Sequence, residues 1–94
     1  MCENLGKLSV NVPKDIIMAP GRYLLSFSQG GAWIRNGIAY LDLTGYVNGS
    51  YFGWICGNIS GMMDVVINAN GITITTNAGM GVDINCSCTK IKEY

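Results

Sequence analysis

The sequence predicts an antiparallel β-sandwich, jelly-roll-like, of seven or eight short strands. Three observations carry this. Apolar and polar residues alternate with period two along most of the apolar segments. Asn-Gly dipeptides, the strongest short hairpin signal, stand at 36–37, 48–49 and 70–71. No segment keeps apolar residues at i, i+3 and i+4 for more than a turn before a glycine or proline interrupts it.

The elements follow in order. Leu8-Ser9-Val10-Asn11-Val12 is a short alternation stopped by Pro13. The segment Lys14 to Ala19 is the one helix candidate; it is short, carries β-branched residues and ends at Pro20, so it is read as loop. Pro20-Gly21 is a turn signal. Arg22 to Ser28 is a strand with Tyr23, Leu25 and Phe27 on one face and Leu24, Ser26 and Ser28 on the other. A brief strand, Ala32 to Ile34, leads to the Asn36-Gly37 turn. Ile38 to Thr44 places Ala39, Leu41 and Leu43 inward and Tyr40, Asp42 and Thr44 outward. After Asn48-Gly49, Tyr51 to Cys56 sets Phe52 and Trp54 on one face, as core plugs or as a surface pair; the sequence leaves both open. Asn58 to Gly61 is loop, Asp64 to Asn68 strand, and Asn70-Gly71 turn. Ile72 to Thr76 alternates cleanly. Val82 to Cys88 closes the series, with Val82, Ile84, Cys86 and Cys88 buried. The whole chain, 1–94, reads as a single domain with residues 1–7 as a loose N-terminal arm.

Composition limits the function classes. Charged residues are 13% against a usual ~25%, and the formal net charge is +0. Nothing here attracts nucleic acid or an anionic membrane surface. No apolar run is long enough for a membrane span, and the opening MCENLGKL lacks the basic and apolar regions of a signal peptide. Hydrophobic residues make up 49% of a chain too short to bury them all alone, which predicts a homo-oligomer.

The chemistry expected is binding, not catalysis. With no histidine, Ser–His and Cys–His nucleophiles and His-containing zinc sites are excluded. The cysteines at 2, 56, 86 and 88 do not match zinc spacing, and Cys86 and Cys88 share a strand face; all four are read as reduced, buried small hydrophobes, with no cofactor or metal. Asp42 and Asp83 fall on outward faces and read as solvated, and Ser26, Ser28 and Ser50 have no base beside them. Glycine-rich stretches lack the following helix and Lys-Ser/Thr pair of a phosphate loop. That leaves the aromatics in or beside loops. Trp33, Tyr46 and Tyr51, with Arg35 near Trp33, form the candidate binding set for a sugar ring or a protein partner.

Pro20-Gly21-Arg22-Tyr23-Leu24-Leu25-Ser26-Phe27, Gly37-Ile38-Ala39-Tyr40-Leu41, Gly71-Ile72-Thr73-Ile74-Thr75, and Val82-Asp83-Ile84-Asn85 running on to Lys90-Ile91 together resemble the distal β-sandwich of bacteriophage tail fibres and baseplate receptor-binding proteins. The resemblance covers the chain from about Leu8 to Ile91. It implies a virion location, assembly as a homotrimer, and recognition of a host-surface receptor or glycan by a non-enzymatic module made in the host cytoplasm. These residues match only the tip module of such fibres, which leaves open a piece of a longer fibre or a free-standing phage protein. The free-standing case makes a small phage protein that binds and blocks a host defence component the alternative, with a bacterial carbohydrate-binding module third.

Overall fold

The computed structural model describes residues 2–9, 11–29, 35–77 and 84–94, apart from the side chains of residues 2–5 and 7. The fold is all-β, as expected. The described residues form β1 (Cys2–Leu8), β2 (Lys14–Ile17), β3 (Gly21–Gln29), β4 (Arg35–Leu43), β5 (Tyr51–Gly57), β6 (Met63–Asn68), β7 (Gly71–Thr76) and β8 (Ile84–Glu93). Two single 3₁₀ turns, Val47–Gly49 and Ser60–Met62, are the only helical pieces among these residues. The strands make a five-stranded sheet, β1-β8-β3-β4-β5, and a three-stranded sheet, β2-β7-β6, with every neighbour antiparallel. The outer pairs nest as in a jelly roll, β1 with β8 and β2 with β7; β3, β4 and β5 form a meander within one sheet.

The alternation read from the sequence sets the two inner faces. Tyr23, Leu25 and Phe27 on β3, Ala39, Leu41 and Leu43 on β4, and Ile84, Cys86 and Cys88 on β8 are buried against Ile16, Ile72 and Ile74 of the small sheet. Phe52 and Trp54 settle as core-facing: both pack on this cluster, with the Trp54 ring 5.2 Å from Phe27. The β5–β6 connection sends Ile59 into the core with no exposed surface.

Several expectations are corrected. The first strand ends at Leu8, not Val12, because Asn11 adopts a left-handed backbone (φ 59°) and its N–H bonds the Thr76 carbonyl at 2.8 Å. Residues 2–8 are therefore not a loose arm: they pair with β8 from Cys2↔Thr89 to Leu8↔Ile84. Lys14–Ile17, read as loop, is a strand paired with β7, its backbone satisfied by the edge of a hydrophobic strand. Asn36-Gly37 is not a turn but lies inside β4, opposite Ser28 and Phe27. Gly37 is required there for packing, since a Cβ would meet Ile59 at 2.6 Å and Trp54 at 3.0 Å. The strand expected at Ala32 to Ile34, the Gly30-Gly31 break before it, and Val82 and Asp83 lie outside the described residues.

Cys86 and Cys88 are buried, unbonded and on one face, whereas Cys56 is exposed at the edge of the sheet. Iodoacetamide labelling followed by mass spectrometry is expected to modify Cys56 in the native protein and Cys86 and Cys88 only on unfolding. Burial, aided by the neighbouring Cys88 thiol, pushes Cys86 from 9.0 up to about 12. The fold holds a proton that the unfolded chain releases near pH 9. This stabilisation is whole below pH 9 and is lost as pH rises toward 12, which an alkaline series of thermal melts will show.

Candidate functional site

The five-stranded sheet turns its even-numbered β3 and β4 residues outward. At the end where β3 begins and β4 finishes, this gathers an aromatic and charged cluster. Register aligns Arg22 with Asp42 on one side and with Lys92 on the other, and Asp42 with Tyr51. Tyr94, just past β8, lies over this row. Its hydroxyl donates to Asp42 Oδ1 at 2.6 Å and accepts from Arg22 Nε at 2.9 Å. Arg22 Nε is 3.7 Å from Asp42 Oδ2, and the Arg22 and Lys92 cations each sit 5.8 Å from the Tyr94 ring centre. The phenol of Tyr94 is held above its ordinary value, chiefly by the bond to Asp42 and then by burial, so it stays a neutral donor through mildly alkaline pH.

Tyr40 and Tyr51 continue the surface, their rings 6.4 Å apart and tilted by 44°. Gly53 stands opposite Tyr40 in register, and a Cβ there would collide with the Tyr51 hydroxyl. The glycine gives the Tyr51 ring a flat floor, so the ring leans along the sheet toward Tyr40 and stays 60% exposed. Such a surface can stack on a ring and hydrogen-bond at its rim without any side chain reorganising.

The loop from β4 to β5 is held from within. The Tyr46 carbonyl accepts from Ser50 Oγ at 2.8 Å, Thr44 Oγ1 at 3.2 Å and Gly49 N at 3.1 Å. The Thr44 N–H in turn donates to Ser50 Oγ at 3.2 Å. This network consumes the polar groups of the loop and leaves the Tyr46 ring 78% exposed.

Of the four residues singled out from sequence, the three that are described do not all come together. Tyr46 and Tyr51 stand at the end just described. Arg35 opens β4 at the other end, about 26 Å away along the strand. There it is half-buried and donates through Nη1 to Met62 Sδ at 2.9 Å. Trp33 lies outside the described residues. Sequence reading missed Arg22, Tyr40 and Tyr94 and took Asp42 for a solvated carboxylate. The outward alternation of β3 and β4 was the available signal, but it does not say which outward residues become neighbours.

No family model matches the chain, and no curated protein matches it in sequence. Among solved structures it is similar to the crystal structure of the Acinetobacter phage vB_ApiP_P1 tailspike protein, with a TM-score of 0.57 and 14% identity. The match covers 99% of this chain and 21% of the tailspike, so the chain spans about a fifth of that protein's length. At this identity the likeness establishes a shared β-sandwich fold. Among the described residues no helix is long and apolar enough to cross a membrane, and no three metal-ligating side chains cluster.

Proposed function

We propose that the chain is a binding module of a bacteriophage tail, acting at the virion by presenting the Tyr40–Tyr51–Tyr94 face to a host-surface receptor or glycan. The observation that carries this reading is that face itself: three tyrosines, Arg22 and Asp42 are fixed by cross-strand contacts, with Tyr51 and Tyr94 exposed and Tyr40, Arg22 and Asp42 half-buried beside them. Tyrosine and arginine in such a setting are the side chains that dominate binding energies, because they bring large area at small entropic cost. The tailspike likeness supports the phage setting. Tyr46, exposed on a rigid loop at the same end, extends the same surface.

Assembly as a homotrimer belongs to this reading. Its support is β5, an edge strand without a charged residue or proline, which carries exposed Ile55 and pairs with the strand that carries exposed Ile38. Natural edges of this kind are normally covered.

Fluorescently labelled protein should adsorb to host cells, and Tyr40→Ala with Tyr51→Ala should weaken adsorption by about 10-fold or more. Both side chains lie on the outer face, so the melting temperature should stay within a few degrees of the parent's. Sedimentation of the same samples should give a trimer before and after substitution. Undiminished adsorption of the double variant would remove the face from the reading, and a stable monomer would remove the trimer.

A further inference from the structure

We infer that the groove beside β2 is a saccharide subsite in which Asp15 and Asn68, coupled through Thr73, take two neighbouring hydroxyls of one sugar unit. The inference deepens the receptor-binding reading and rests on it. The groove is open, about 370 Å³ in volume, and runs where the β2 edge meets the β6–β7 turn. Small-ligand sites begin near ~300 Å³. A smaller cleft bordered by Tyr46, Val47 and Pro20 shares Asn68 and Ala69 with it, so the groove belongs to the same end of the sandwich as the tyrosine face.

Register on the outer face of the small sheet puts Asp15 opposite Thr73 and Thr73 opposite Val66, with Asn68 opposite Gly71. The hydrogen bonds run in one direction. Asn68 Nδ2 donates to Thr73 Oγ1 at 3.0 Å, and Thr73 Oγ1 donates to Asp15 Oδ1 at 2.6 Å. The other end of the Asn68 side chain is pinned as well, its Oδ1 accepting from Asn70 N at 2.9 Å. These bonds set all three side chains before any ligand arrives. They leave Asp15 Oδ2 as an acceptor and the second Asn68 Nδ2–H as a donor. No cation among the described residues pairs with Asp15.

A fixed acceptor on one side of Thr73 and a fixed donor on the other, both lining one groove, suit a pair of adjacent hydroxyls, one donating to the carboxylate and one accepting from the amide. A hydroxyl bonded to a charged carboxylate makes the stronger of the two bonds. Ile17, 86% exposed at the groove, supplies the apolar surface that a sugar ring's C–H face covers. The ladder is poorly explained as a stabilising device. Asp15 is exposed, and a hydroxyl–carboxylate bond in water contributes little to folding.

The test is a ¹H–¹⁵N titration of the labelled protein with methyl glycosides of galactose, glucose and mannose. The expected result is shifts of the Asn68 side-chain amide and the Asn70 backbone amide for at least one glycoside. Asp15→Ala should weaken that binding 10-fold or more, and Thr73→Val should weaken it as well. Asp15 is exposed, so its variant is expected to fold; an unchanged spectrum away from the groove checks this. Shifts confined to the tyrosine face and indifferent to Asp15→Ala would overturn the subsite while leaving the receptor-binding reading intact. Absence of shifts with every glycoside would also overturn it, and cell adsorption would then decide the broader reading separately.

Discussion

Replacing Phe27 by alanine is expected to lower the stability of the fold by about 3–5 kcal/mol, measured as a fall in the urea midpoint at unchanged slope. Phe27 is 1% exposed and sits at the crossing of three strands, opposite Gly37 on β4 and Cys86 on β8. Its ring packs on Trp54 at 5.2 Å, and Trp54 meets Phe52 edge-on at 5.5 Å. Removing it deletes the apolar contact and also leaves a cavity that the sheets cannot close, because their spacing is held by Leu25, Ala39 and Ile74 on either side. Domains of this size have only about 5–15 kcal/mol in total, so the variant is expected to give up a large fraction of its stability and to unfold at a clearly lower urea concentration. A loss below about 1 kcal/mol would mean that Trp54 collapses into the space and that the inner face of β5 is far softer than its packing indicates.

The second large effect is expected at Gly71. Gly71 opens β7 with φ +149°, a region that side chains rarely adopt. A Cβ there would collide with the Ile16 carbonyl and lie 2.8 Å from the Met18 nitrogen. Both are backbone atoms and have no rotamer to give. Gly71→Ala is therefore expected to cost about 2–4 kcal/mol, combining backbone strain with the parting of β2 from β7. The change reaches function through position. β2 carries Asp15 and Ile17, so a displaced β2 opens the groove and breaks the Asp15–Thr73 bond. Hydrogen exchange should show lost protection at Ile17 and Met18 first, whose pairing with Gly71 and Asn70 is nearest the substitution. Unchanged protection there would show that the β6–β7 turn can absorb a side chain without moving the edge strand.

Legibility in the sequence followed the range of each interaction. The alternation of Tyr23–Leu25–Phe27, Ala39–Leu41–Leu43, Ile72–Ile74 and Ile84–Cys86–Cys88 was readable residue by residue, and every one of these side chains is buried. β1 and β2 were not readable. Neither alternates, and each is a strand because the neighbouring edge offers backbone partners. Asn36-Gly37 has the composition of a turn, yet its surroundings demand a glycine for a different reason, the approach of Ile59 and Trp54.

The same division separates the site from the fold. That Tyr46 and Tyr51 would be exposed could be read from flanking turn residues, because exposure at a loop is a local property. That Arg22 would meet Tyr94, 72 positions on, and Tyr94 meet Asp42, 52 positions back, was set by the register of β3 with β4 and with β8. So was the separation of Arg35 from the tyrosines by the length of β4. The sequence by itself determined the fold class and which face of each alternating strand is buried, because period two is written in adjacent residues and burial of one face rewards it directly. Only the tertiary structure decided which outward residues stand together, since on a solvent-facing surface the pattern is equally satisfied by any partner strand, and the choice is made by core packing on the opposite side of the sheet.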